Sequence, residues 1–163
     1  MATLLIPGVG LIEEGGTFLI PGAGIVDNPT SVTYQYARPT SDVTDGDWYN
    51  ELDSQTNLYL SIDESSAYDA DYIYTMGLNT PVTVGLGSLN DPERSDYHIV
   101  RYRAQGNGTT DLVVTLLQSS TEIASWTETN ASATMTTYEH TLTGTQADSI
   151  TDYTALRLKF DAQ

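Results

Sequence analysis

A near-duplicate opens the chain. Residues 3–14, Thr3-Leu4-Leu5-Ile6-Pro7-Gly8-Val9-Gly10-Leu11-Ile12-Glu13-Glu14, return without a gap as residues 17–28, Thr17-Phe18-Leu19-Ile20-Pro21-Gly22-Ala23-Gly24-Ile25-Val26-Asp27-Asn28. Thr, Leu, Ile, Pro and two Gly are identical at an offset of 14, and most other pairs keep their character. That density marks an internal duplication. Pro7 and Pro21 hold φ and lack an N–H, the glycines free the backbone, and Pro-Gly signals a turn. Each unit therefore predicts a short extended segment, a turn and a second short extended segment. Such segments are too short to bury their own side chains. Leu5, Ile6, Leu11, Ile12, Phe18, Leu19, Ile20, Ile25 and Val26 need a surface to lie on. Two readings follow. In one, residues 1–30 form an extended N-terminal arm that docks each repeat on an equivalent site of a partner, through those side chains with Pro7 and Pro21. In the other, both segments are edge strands on the chain's own core. The duplication favours the arm, because a single core seldom offers the same groove twice.

The remaining residues, 31–163, are enough for one domain with a sizeable core. Asn28-Pro29-Thr30 reads as the hinge. The chain has no cysteine, so disulfides and thiolate chemistry are excluded. It begins with Met and has no Lys or Arg before Arg38, which predicts synthesis in a host cytoplasm without a secretory signal. No stretch is apolar for the roughly 18–20 residues of a membrane span. A net charge of -16, from 22 acids against 6 bases, argues against nucleic-acid binding and suits a soluble, self-repelling surface.

Along the body, strand signals recur with almost no helical period. Strands are expected at 33–36, 57–62, 72–75 and 81–86. Tyr97–Ala104 is expected to form a hairpin with the next strand across Gln105-Gly106-Asn107-Gly108. Asp111–Gln118 is apolar on both faces, as a central strand is. Further strands are expected at 122–127, 134–142 and 155–162. In the last, Leu156, Leu158, Phe160 and Ala162 alternate with Arg157, Lys159 and Asp161. One helical turn is expected at 146–150 behind Thr145 as N-cap. The fold class is all-β: an antiparallel β-sandwich of jelly-roll type.

Charge is unevenly placed. Eleven acids and no base lie between Arg38 and Arg94. Arg101 with Arg103, and Arg157 with Lys159, share strand faces. If their strands share a sheet, they form a basic stripe that serves as a second contact face; otherwise they cover the solvent face and pair with local acids. Asp42-Val43-Thr44-Asp45-Gly46-Asp47 has the composition of a calcium loop but not the spacing or the closing bidentate Glu, so its acids read as solvated. His98 and His140 stand on separate strands without a metal or triad pattern. The Gly-x-Gly of the repeats precedes no helix. Neither a catalytic residue nor a metal or cofactor site is expected.

The body resembles small jelly-roll structural proteins of tailed bacteriophages. The stretches that carry the resemblance are Ser61–Glu64 with Asp69–Ile73, then His98–Ala104, Ile123–Trp126, and the closing run through Gln146–Tyr153 and Leu156–Phe160. They span roughly residues 55–163. The Leu-Ile-Pro-Gly units also look like short N-terminal repeats of phage structural proteins. The resemblance implies a non-enzymatic decoration or cement protein on the outer surface of the capsid, bound to the major capsid protein and assembled as a homo-oligomer such as a trimer. A second reading is a carbohydrate-binding or tail-associated receptor-binding module, in which Trp48 or tyrosines near the 40–50 and 63–72 loops stack on sugar.

Overall fold

The computed structural model describes residues 34–66 and 68–163 in full and, ahead of them, the backbone of four three-residue strands. The chain divides into two compact units, Met1–Gln35 and Tyr36–Gln163.

In the first unit, β1 (Leu4–Ile6) pairs antiparallel with β2 (Gly10–Ile12), and β3 (Phe18–Ile20) with β4 (Gly24–Val26). The registers repeat: Leu5 opposes Leu11 as Leu19 opposes Ile25, and Ile6 opposes Gly10 as Ile20 opposes Gly24. The Pro-Gly-centred connections and the Asn28–Thr30 hinge lie outside the described residues.

The second unit is all-β and antiparallel. Its strands are β5 (Pro39–Thr44), β6 (Trp48–Asn50), β7 (Ile73–Thr75), β8 (Val82–Leu86), β9 (Ile99–Ala104), β10 (Leu112–Gln118), β11 (Thr121–Glu128), β12 (Thr136–Thr141) and β13 (Leu156–Ala162). A five-stranded sheet runs in the order β11-β10-β13-β8-β5, with two further ribbons, β9–β12 and β6–β7. β10 lies inside this sheet between β11 and β13, and Val114, Thr115 and Leu116 are buried on its two faces. Along β13, Leu156 and Leu158 are buried, with Phe160 and Ala162 packed beside them.

The β9–β12 ribbon meets the sheet through its inward side chains. Tyr102 of β9 sets its ring edge-on to Phe160 of β13 at 6.1 Å. His140 of β12 stacks on Trp126 of β11 at 4.9 Å.

Four expectations are corrected here. Residues 34–36 are not a strand; Tyr34 and Tyr36 are exposed, and the first body strand begins at Pro39 instead. Proline suits that place, the first residue of an edge strand, where a missing N–H costs no ladder bond. Residues 58–61 form a 3-10 turn rather than a strand. Asn57 enters it with φ 56°, and the Asp42 carboxylate accepts the N–H groups of Leu58 and Tyr59 at 2.9 and 2.8 Å, which tightens the backbone into a turn. The 105–108 segment is no hairpin. β9 pairs with β12 and β10 with β11 and β13, so this segment carries the chain from ribbon to sheet. It is held by Gly106 N–H to Ser132 O and Gly108 N–H to Ala131 O. Gly106 is required there, since a Cβ would fall 2.7 Å from the Ala131 carbonyl oxygen. Finally, α1 (Gly144–Asp148) is capped by Thr143, not Thr145, in a capping box with Gln146.

Candidate functional site

The sequence points to three places: the repeats, the cations and the aromatic loops. Of the repeat residues, Pro7 and Pro21 lie outside the described residues. Leu5, Ile6, Leu11, Ile12, Phe18, Leu19, Ile20, Ile25 and Val26 fall in β1–β4, where the backbone alone is described.

The cations do not form one stripe. Arg101 and Arg103 stand on β9, and Arg157 and Lys159 on β13, which belongs to the other sheet. Arg101 pairs with Glu139 on the neighbouring strand, and Arg103 makes a two-point pair with Asp69 at 2.5 and 2.7 Å. Arg157 and Lys159 have no ion pair among the described residues; they flank Gly85 and Thr83 of β8 on the sheet's second face. The Arg103 guanidinium, by hydrogen bond and then by charge, holds the Asp69 carboxyl below its ordinary range.

Asp42, expected as a solvated loop acid, is a backbone cap, because β5 brings its carboxylate over the 3-10 turn. Among the described residues, no three His, Cys, Asp or Glu side chains converge as metal ligands.

Trp48 is 8% exposed, and its indole N–H donates to the Thr80 carbonyl at 2.8 Å. It is a core residue, so sugar stacking by Trp48 is excluded. Strand alternation explains why. With Trp48 and Ile73 turned toward the core, Tyr49 and Tyr74 turn outward as cross-strand partners. Tyr72 joins them: its ring centroid is 6.2 Å from that of Tyr74, which is 5.8 Å from that of Tyr49. The phenol of Tyr49 donates to Asp47 at 3.1 Å, and that of Tyr74 to Asp53. These bonds to carboxylates raise both phenol pKa values, so the hydroxyls stay protonated and aimed. Within the chain's most acidic interval, Leu52, Leu60, Tyr68, Tyr72, Met76 and Leu78 are all exposed. The alternation Trp48-Tyr49-Asn50 against Tyr72-Ile73-Tyr74-Thr75 carries the signal for this face, but only if both runs are read as paired strands.

A second cluster lies where β9–β12 meets β11. The Glu128 carboxylate accepts from the Tyr102 hydroxyl at 2.5 Å and lies 2.7 Å from His140 Nε2. Burial, and then the Glu128 carboxylate, push the Tyr102 phenol far above its ordinary range. His98, the other histidine, places Nε2 2.7 Å from the Tyr153 hydroxyl. Each histidine is thus tied to a tyrosine in a different part of the body.

Neither a protein-family model, nor a curated protein, nor a solved structure matches the chain.

Proposed function

We propose that the chain is a non-enzymatic virion structural protein of a tailed bacteriophage, a decoration or cement protein. In this reading an N-terminal arm docks on the major capsid protein, and the body stands on the outside of the head. The observation that carries it is the duplication: two units of one sequence, each with its own hairpin in the same register at an offset of 14. Two equal hairpins suit two equal receptor surfaces, which a shell of repeated subunits supplies.

The body is read as a jelly-roll sandwich. Supporting this, the chain leaves the five-stranded sheet after β8 for β9, returns for β10 and β11, leaves again for β12 and returns for β13. The net charge of -16 keeps many outward-standing copies apart. Apolar repeat side chains would supply the adhesion, at about 25 cal/mol per Å² buried before ordering costs. Attachment at two sites, and assembly as a homo-oligomer such as a trimer, would add avidity.

The test is co-sedimentation with empty heads of the phage, comparing the full chain with one that starts at Thr30. The reading expects the full chain to pellet with heads and the shortened, folded chain to stay in solution. If neither form binds heads, the cement reading falls. If both bind equally, the arm is not the anchor.

A further inference from the structure

Two tight turns meet in the chain's most acidic interval. At 50–54, the Asn50 side-chain carbonyl accepts the N–H groups of Leu52 and Ser54, and the Asp53 N–H donates to the Asn50 main-chain carbonyl. At 58–61, the Asp42 carboxylate holds the 3-10 turn. Residues of both turns line a cleft of about 370 Å³, within the roughly 300–1,000 Å³ of small-molecule sites.

The polar lining of this cleft is incomplete. Ser61 is 4% exposed in the cleft wall, and no described residue hydrogen-bonds its hydroxyl. The Oε2 atom of Glu51 is buried and has no partner either. Buried acceptors are nearly always satisfied in a folded protein, and one left unmade costs stability. Asp71 is the second carboxylate of the lining. It interacts with Glu64, which has a buried oxygen without a partner. Burial, and then the hydrogen bond and charge of Asp71 and the charge of Asp63, raise the Glu64 carboxyl above its ordinary range. Arg38 donates to the Glu64 main-chain carbonyl, and no Lys or Arg lines the cleft. A ligand that completes this lining brings donors and positive charge.

We propose that the cleft binds a primary ammonium group carried on an aliphatic stem. An ammonium has three N–H donors and no acceptor. The Glu51 and Asp71 carboxylates and the Ser61 hydroxyl offer three acceptors. Leu52 and Leu60 line the same cleft and are 78% and 50% exposed, so the methylenes of the stem have apolar surface to lie on. A bare metal ion fits worse. Among the described residues no three His, Cys, Asp or Glu side chains converge as its ligands, and the cleft is far larger than an ion. A sulfated or phosphorylated ligand would meet two carboxylates and no cation. Two sources carry the ammonium chemistry: a free alkyl amine and a lysine side chain of another protein. The site belongs to the body, so it stands or falls independently of head docking.

The test is an NMR titration of the full chain in about 0.15 M salt, which screens the diffuse attraction of an acidic surface beyond about 8 Å. The probes are pentylammonium and an Ala-Lys-Ala peptide blocked at both ends, with pentanol and calcium chloride as contrasts. Both amines should shift the amide signals of Glu51, Asn57 and Ser61. Pentanol, with the same stem and no charge, should not. Glu51→Gln and Asp71→Asn should each weaken amine binding about tenfold, and Ser61→Ala about threefold. Glu122→Gln, at an exposed acid on β11, should leave it unchanged. If Asp71→Asn disturbs folding, Glu51→Gln alone decides. Tighter binding of the peptide assigns the ligand to a protein partner, and tighter binding of pentylammonium to a free amine; either result supports the site. The proposal is overturned if neither amine moves these signals, if pentanol or calcium moves them as strongly, or if Glu51→Gln binds the amines as the parent does.

Discussion

The body contains two ribbons of similar chemistry that use it in opposite directions. β9–β12 turns its aromatic side inward: Tyr102 stacks on Tyr138 and meets Phe160 and Glu128, and His140 lies on Trp126. Its outward side carries charge, with Arg101 paired to Glu139 and Arg103 to Asp69. β6–β7 buries Trp48 and packs Ile73 on the core, and turns the half-buried Tyr49 and Tyr74 to its other side, where Asp47 and Asp53 take their hydroxyls beside the exposed Tyr72. Aromatic rings that build a core are explained by the core. The rings of Tyr49, Tyr72 and Tyr74 lie on the other side of their ribbon from Trp48, and two of them are fastened at their hydroxyls by Asp47 and Asp53.

The contrast is sharpest in stability. Tyr102→Ala should cost on the order of 3 kcal/mol in urea unfolding, since it empties the space against Phe160 and strips a hydrogen bond from Glu128. Tyr74→Ala should leave the unfolding midpoint nearly where it was. Equal losses at the two positions would erase the distinction between the ribbons.

A smaller effect tests how the outward ribbon is seated. Asp42→Ala should cost about 2 kcal/mol, because two N–H groups of the 3-10 turn lose a charged acceptor. The variant should also loosen the 3-10 turn at Asn57 and Leu60, seen as faster amide exchange there than in β10. Trp48→Phe should cost about 1 kcal/mol through the lost bond to the Thr80 carbonyl.

These positions also show what could be read from the chain alone. The two-faced apolar run of β10 and the alternation of β13 are properties of single segments, and both were legible. The Gly106–Gly108 turn was not, because local turn chemistry does not say which sheet the chain enters next. Leu58–Ser61 alternates like a strand, and only a carboxylate 16 residues away makes it a turn. Trp48 and Tyr49 are neighbours with opposite fates, and the pairing of β6 with β7 decides which ring goes inside. The sequence offers Trp48 or the tyrosines of the nearby loops for stacking on sugar, and burial removes Trp48 from that set. The cationic stripe depended on one sheet holding both β9 and β13, a topological fact that no residue pattern states.

The weakest expected effect concerns the link between the loop before β7 and the outer face of β9. Arg103 lowers the pKa of Asp69 in the folded chain. The unfolded chain therefore binds the extra proton first as pH falls. The contribution is complete above the ordinary carboxylate range and is lost as pH drops through the depressed folded value. Both side chains are partly exposed, so the effect should be small and should shrink with added salt. Asp69→Asn should abolish that acid and salt dependence while leaving mid-pH stability almost unchanged.

The most direct measurement is electron cryomicroscopy of empty heads incubated with the full chain. The account predicts the two repeat hairpins on two equivalent sites of the shell, with the β6–β7 tyrosines facing solution. Density that seats the body on the shell through Tyr49, Tyr72 and Tyr74, with the repeats away from it, would contradict the docking arm.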